Sequence, residues 1–210
     1  MYARVTWTEG PPDRLQAATD ARQIIEQDLK GQAGWVATAL LADRQTGRGA
    51  SVGYWETEEA LRASEAGHAA RMQTGQTTGS RVREIERYEI VHRERSAPPR
   101  ENTFVRVNDL RGTPAKLDDT ITFIRERVAP LLKGQKGFRA MLMGVNRETG
   151  RSLVSSIWDS AIEREASDAA LTELRRQGRQ IAGAEQTKVE LYEVVVLLEK
   201  TTGALASTAE

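Results

Sequence analysis

The chain repeats itself. Leu29-Lys30-Gly31-Gln32-Ala33-Gly34-Trp35 returns as Leu132-Lys133-Gly134-Gln135-Lys136-Gly137-Phe138, 103 positions on. The same offset carries Arg44, Thr46, Gly47 and Arg48 onto Arg147, Thr149, Gly150 and Arg151, Trp55 onto Trp158, and Ala63-Ser64 onto Ala166-Ser167. Toward the start the offset is 102, matching Arg4, Val5, Gly10, Pro12 and Leu15 with Arg106, Val107, Gly112, Pro114 and Leu117. Toward the end it is 104, matching Glu86, Tyr88, Glu89 and Val91 with Glu190, Tyr192, Glu193 and Val195. The drift falls in the first helix and the last loop, where an extra residue costs little. A chain of 210 residues built this way has to solve one folding problem twice. The expected organisation is a first module over 1–95, a stiff linker over 96–100 (Ser96-Ala97-Pro98-Pro99-Arg100), a second module over 101–200, and a small polar tail over 201–210 that frays.

Each module reads as βαββαβ. Tyr2–Thr8 and Phe104–Asp109 have strand composition. Gly10-Pro11-Pro12 and Gly112-Thr113-Pro114 then break the chain, and Pro114 suits a first helical position. Leu15, Ala18, Ile25 and Leu29 fall at helical spacing, as do Leu117, Ile121, Ile124, Val128 and Leu131. Pro130 is expected to kink or tighten the second of these helices, which like the first stops at Lys-Gly. Trp35–Ala42 with Gly49–Trp55, and Phe138–Val145 with Ser152–Trp158, are hairpin strands joined at Arg-x-Thr-Gly-Arg, where Gly47 and Gly150 take positive φ. A second helix starts at Thr57 and at Ser160, the latter in a capping box with Glu163. Gly, Thr and Ser around 74–80 form a loop, and strands Val82–His92 and Thr187–Leu198 close the modules. Val194-Val195-Val196-Leu197-Leu198 is apolar at both parities, so both faces of that strand are expected to be buried. Two antiparallel sheets facing each other would meet that demand.

Thirty basic residues cancel thirty acidic ones. No positive surplus marks a nucleic-acid binder. No apolar run reaches about 18 residues, so no membrane span is expected. The first ten residues lack a basic start followed by an apolar stretch, which makes a cytoplasmic protein the expectation. Cysteine is absent, removing thiol nucleophiles, disulfides and thiolate metal sites together. Two histidines, His68 and His92, cannot build an all-histidine zinc site. No metal and no cofactor are expected.

His68 lies on the second helix of module one, seven positions after Leu61, and its counterpart is Leu171. An inward imidazole there is a candidate catalytic base. The commoner fate of such a residue is packing with a local hydrogen-bond partner. His92, among Arg93, Glu94 and Arg95, reads as solvated. Trp55 and Trp158 read first as packing anchors and second as pocket walls. Trp35 pairs with Phe138 as an aromatic plug, whereas Trp7 aligns with Asp109 and is unrepeated. Arg4 and Arg106 are matched, and a buried anion site and an exposed charge are both open. The charged stretch from Arg81 to Arg87 reads as a solvated strand face.

The strand-end Trp followed by Thr or Ser and acidic residues (Trp55-Glu56-Thr57-Glu58-Glu59, Trp158-Asp159-Ser160), together with the closing strands Ile85–Val91 and Val189–Val195, resembles the antibiotic biosynthesis monooxygenase-like (ABM) family of dimeric α+β barrels. The resemblance spans both modules. It implies two ferredoxin-like modules, tandem-duplicated, forming a single-chain dimeric α+β barrel: a monomeric pseudo-dimer or a further homo-oligomer of it. The activity implied is that of a cofactor-independent monooxygenase on a small aromatic or polyketide-like substrate. His68 would be the base, Trp55, Asn108 and Trp158 substrate-binding residues, and the partner a small apolar or aromatic ligand. The alternative is a non-catalytic small-ligand-binding or structural α+β barrel. The family's haem-degrading branch resembles an Asn on the first strand and a Trp and a His on the second helix. Asn108 sits at the first of these positions, with Thr6 opposite in module one, but Ser64 and Ser167 stand at the Trp position and Gln73 and Arg176 at the His position. Haem degradation by that route is therefore not expected. A cavity above about 300 Å³ with convergent polar groups would separate an enzyme or ligand binder from a filled structural core.

Overall fold

Alternating β-branched and apolar residues set the strands, and glycine or proline sets where each one ends. The computed structural model describes residues 1–11, 22–70 and 81–200. The first repeat contains β1 (Tyr2–Glu9), α1 (Arg22–Lys30), β2 (Trp35–Ala42), β3 (Arg48–Trp55), α2 (Glu58–Ala63) and β4 (Arg81–Arg95). The second contains β5 (Phe104–Arg111), α3 (Leu117–Phe123), a π-helical turn (Ile124–Val128), α4 (Ala129–Lys133), β6 (Phe138–Val145), β7 (Arg151–Trp158), α5 (Ala161–Ala166), α6 (Asp168–Ile181) and β8 (Gln186–Glu199). Residues 65–70 are also helical. Pro12, Leu15, Ala18, Gln73, the loop around 74–80 and the tail 201–210 lie outside the described residues.

This is a mixed α+β fold in which the strand pairs with a described register are antiparallel. It divides into two compact units, Met1–Arg87 with Val194–Glu210, and Tyr88–Glu193. In unit one, β3 is central, with Val52 opposite both Val5 of β1 and Ala39 of β2. The Lys200 amide, just past β8, donates to the Val36 carbonyl at 2.9 Å. In unit two, β7 is central between β5 and β6. The first part of β8 pairs with β5 (Asn108 opposite Val189), and the last part of β4 pairs with β6 (His92 opposite Met143). The two long strands therefore each contribute to both units, and the compact boundaries fall inside β4 and β8.

Both hairpins use the same device. Asp43 Oδ1 accepts from the amides of Gln45 and Thr46, and Asn146 Oδ1 from those of Glu148 and Thr149. Each turn closes on a glycine at positive φ, Gly47 at 71° and Gly150 at 76°. The helices stop at Lys30 and Lys133 as expected, but Gly134 caps with an ordinary right-handed φ of −77°. The left-handed turn comes three residues later, at Gly34 and Gly137. Pro130 sits in the first turn of α4, directly after the π turn. It has no amide proton to give and its ring crowds the preceding turn, and the helix absorbs both by widening.

The core of unit one gathers Leu29, Trp35, Trp55, Leu61, Val196 and Leu198. That of unit two is built around Trp158, Met141, Met143 and Leu171, with Phe138 meeting Trp158 edge to face at 5.7 Å. Val194, Val195, Val196 and Leu198 are all buried, so both faces of β8 are covered there. Unit two also buries an ion pair. Arg151 Nε and Nη2 each donate to Asp109 at 2.7 Å, with both side chains 6% exposed. The repeat partner of Asp109 is the buried Trp7, so one copy fills with an indole the place the other fills with a carboxylate. Removing one member of such a pair strands a buried charge. Arg151→Met is expected to cost about 3–5 kcal/mol in denaturant unfolding, and the double change Asp109→Leu, Arg151→Met much less than that.

Candidate functional site

One polar device occurs in both units. Arg4 Nη1 donates to Ser64 Oγ at 2.9 Å, Ser64 Oγ donates on to the Leu61 carbonyl at 2.6 Å, and the guanidinium lies 4.7 Å from the centre of the Trp55 ring. In unit two, Arg106 Nη1 donates to Ser167 Oγ at 2.7 Å, Ser167 Oγ donates to the Arg164 carbonyl at 2.7 Å, and Arg106 lies 6.0 Å over Trp158. Arg106 also donates to the Arg164 carbonyl and pairs with Asp168 at 2.9 Å. Both arginines are almost wholly buried, which resolves the alternative left open by their strand position. Burial pulls the Arg106 guanidinium down to about 10, with Asp168 opposing and Arg175 and Arg164 adding to the fall, so it stays charged at neutral pH. The loose carbonyls at the end of a short helix suit a cation. Ser64 and Ser167, at the Trp position of the haem-degrading branch, are committed to these arginines, and the residues present do not fit that role.

The next residue pair along the same strand and helix differs between units. In unit one, Thr6 Oγ1 and His68 Nε2 are 2.9 Å apart and both residues are buried. In unit two the corresponding residues, Asn108 and Leu171, both line a cleft between the faces of β5, β7 and β8 and the helical layer of the π turn, α4 and α6. Its wall is mostly apolar, with Ile124, Val128, Leu132, Val154 and Leu174 among the lining residues. Its enclosed volume is about 40 Å³, and about 520 Å³ is free of atoms when the open mouth is counted. The inner volume suits a few water molecules and falls well short of a drug-sized pocket. Three polar atoms of the lining are buried with no partner among the described residues: Asn108 Oδ1, Thr187 Oγ1 and Arg175 Nε. Asn108 Nδ2 reaches the Val154 carbonyl only at 3.5 Å. Ser156, also on the wall, accepts from Trp158 Nε1 at 3.0 Å.

Of the residues singled out from sequence, Asn108 thus lies in the cleft and Trp158 reaches it through Ser156. Within unit one, His68 meets Thr6, and Trp55 lies under Arg4. Thr187 and Arg175 were not singled out. Arg175 was within reach, four residues after Leu171 and so on the same helical face; Thr187 depended on the β5–β8 register. Among the described residues no group of three or more His, Asp or Glu is placed to hold a metal ion, and no helix is long and apolar enough to cross a membrane.

His92 corrects its sequence reading. It is half-buried on β4, and its Nε2 has no partner among the described residues. Burial pushes the imidazole below its ordinary value of 6.5, Glu94 opposing and Arg125 of the π turn adding to the fall.

No family model matches the chain. Solved structures share its fold. A proposed monooxygenase of Fusobacterium nucleatum aligns over 95% of this chain and 94% of its own, with TM-score 0.71 and 11% identity. An anthrone oxidase-like protein aligns over 99% and 97%, with TM-score 0.66 and 16% identity. A haem-degrading enzyme of Listeria monocytogenes aligns over 91% and 99%, with TM-score 0.55 and 9% identity. The fold class is the ferredoxin-like one found in proteins related to antibiotic biosynthesis monooxygenases. Among curated proteins, the uncharacterized Mycobacterium tuberculosis proteins Rv2557 and Rv2558 are each 29% identical to this chain. The matches run over 185 and 198 residues, covering 85% and 93% of this chain and 82% and 84% of theirs.

Two outcomes follow from the histidines. His68→Leu strands the buried Thr6 hydroxyl and is expected to lower stability by about 1–3 kcal/mol, while Thr6→Val with His68→Leu recovers most of the loss; denaturant midpoints of the three proteins decide it. Because the folded His92 pKa is depressed, the unfolded chain binds the proton more readily. Its contribution is therefore complete above about pH 6.5 and is lost as pH falls through the lower folded value. Melting temperature should fall from pH 7 to pH 5.5 in the native protein and fall less steeply in His92→Gln.

Proposed function

We propose that this protein is an ABM-type α+β protein, made of two tandem ferredoxin-like modules in one chain, that takes a small apolar or aromatic molecule at the open mouth of the cleft in its second unit, whose interior of about 40 Å³ must widen by side-chain movement to admit a ring. The observation that carries the reading is the buried, unpartnered Asn108 Oδ1 facing an apolar cleft beside Leu171. A stranded buried amide costs about 1–3 kcal/mol, and a ligand hydroxyl or a displaceable water relieves that cost. The balanced charge of the chain favours a small molecule over nucleic acid, and a cytoplasmic setting fits the absence of cysteine.

The chemistry that fits the structural neighbours is cofactor-independent oxygenation of a small aromatic or polyketide-like substrate. In that reaction Asn108 Oδ1 accepts from the substrate hydroxyl and orients it, and Trp158 is a positioning residue that holds the Ser156 wall. Among the described residues no Asp, Glu or His lines the cleft, so the substrate must be acidic enough to ionise without a protein base there. That same absence favours a second reading, a binding protein with no turnover. A base role for His68 belongs to unit one, where its partner Thr6 is the group it would relay through.

Asn108→Thr with Leu171→His carries the unit-one pair into unit two and should close the cleft. The native protein is expected to gain melting temperature with small arenes such as toluene, and the double variant to fold and gain none. Equal gains in both would place binding elsewhere. Oxygen uptake with an ionisable hydroxyarene separates oxygenase from binder.

A further inference from the structure

The reading of the unit-two cleft as a ligand site leaves the ligand's polar chemistry open, and the unpartnered atoms on the wall define it. Asn108 Oδ1 accepts and needs a donor; Arg175 Nε–H donates and needs an acceptor; the Thr187 hydroxyl serves as either. The charges around them do not cancel. Asp168 is shared, pairing with Arg106 at 2.9 Å and also with Arg175 Nη2, so one carboxylate serves two guanidiniums. Arg106 is 1% exposed and cannot take a counter-ion from solvent. Arg175, 27% exposed at its side chain, is the member that lines the cleft. An oxyanion placed at Arg175 Nε makes a charge-assisted bond where the chain supplies no acceptor. The rest of the wall is aliphatic, which suits a ring.

We infer that the ligand of this cleft is a small hydroxyarene acid, its anionic carboxylate or enolate oxygen held by Arg175 and Thr187 and its hydroxyl donated to Asn108. An anion is also what the missing wall base requires of an oxygenase substrate. The inference rests on the proposed function and can fail separately from it.

The test uses the full chain with salicylate, benzoate and toluene as probes, binding followed by calorimetry and by amide shifts in α6 and β5. Salicylate should bind roughly tenfold or more tightly than toluene, and the advantage should shrink as salt rises. Arg175→Met should abolish the advantage, salicylate then binding no more tightly than toluene does to the same variant. Arg175→Lys, which keeps the charge beside Asp168 but removes the Nε–H, should lose most of it with an unaltered melting temperature. Asn108→Leu should erase the preference of salicylate over benzoate. Toluene binding as tightly as salicylate, or a salicylate preference that survives both Arg175 changes, overturns the inference and leaves the proposed ligand site standing. Binding of none of the three probes at α6 and β5 overturns both.

Discussion

A buried guanidinium is the interaction on which the rest of each unit depends. An arginine out of water must be given acceptors and a polarisable surface, and here each receives a serine hydroxyl and the face of a tryptophan, with a helix-end carbonyl bonded directly by Arg106 and through the serine by Arg4. Those partners come from different elements: the arginine from the first strand, the serine and carbonyl from the end of the short second helix, the tryptophan from the end of the third strand. Their mutual satisfaction fixes how the helix crosses the sheet. Once that crossing is set, the side chains beyond it follow in steps of two along the strand and four along the helix. Arg4 and Ser64 are followed by Thr6 and His68. Arg106 and Ser167 are followed by Asn108 and Leu171, and then by Leu110 and Arg175. The candidate site is the second and third rung of a ladder whose first rung is structural.

The two copies spend their polarity differently on these rungs. Unit one pairs Thr6 with His68 and leaves neither hanging. Unit two sets an amide against leucine and leaves an oxygen without a partner. On the opposite face of the same strand, the buried Trp7 of unit one is replaced by Asp109, which unit two answers with Arg151. Beneath the tryptophans, Gly53 leaves room for the Trp55 ring, a Cβ there falling 2.4 Å from it, whereas its counterpart Ser156 accepts a hydrogen bond from Trp158. The exchange at Asp109 is compensated within its own unit. The Asn108–Leu171 rung is not, and neither is the Gly53 exchange, which leaves Trp55 Nε1 without a partner among the described residues; of the two, the Asn108 rung lines a cleft, where a ligand can supply the missing bond.

Much of this was legible in the sequence because many structural residues occur at matched positions in its two halves. Trp55 with Trp158 and the two glycine hairpins follow from matched positions, and the buried closing strand follows from the run Val194–Leu198 being apolar at both parities. The direction of Arg4 and Arg106 was not legible, since strand alternation says only that neighbours oppose each other; the serine partner 60 or 61 residues away settles it. His92 was read from its charged neighbours, but the adjacent Arg93 points the other way along the strand, and the His92 side chain is half-buried. Contrasts between the copies carried the site: His68 against Leu171 and Thr6 against Asn108 flagged the rung at which the units diverge. The room in the unit-two cleft depends on volumes that no residue pattern encodes.

Those volumes trace to backbone features found in unit two. Pro130 cannot donate an amide proton, and the preceding turn, Ile124–Val128, takes the π form. A π turn adds width to the helix without adding a side chain at each height, so Ile124 and Val128 reach the cleft wall while a gap persists beside them. On the facing helix Gly178 lies against Phe123, where a Cβ would stand 3.3 Å from the ring. That small residue allows α3 and α6 to approach, and the π turn follows directly in the same helical layer. A helix pinned at one end by glycine packing and widened next to it by proline leaves a space that side-chain repacking alone does not fill, because interiors close only where backbones let them. The cleft is thus set by main-chain geometry, and its polar lining by the rung that the arginine ladder delivers to it.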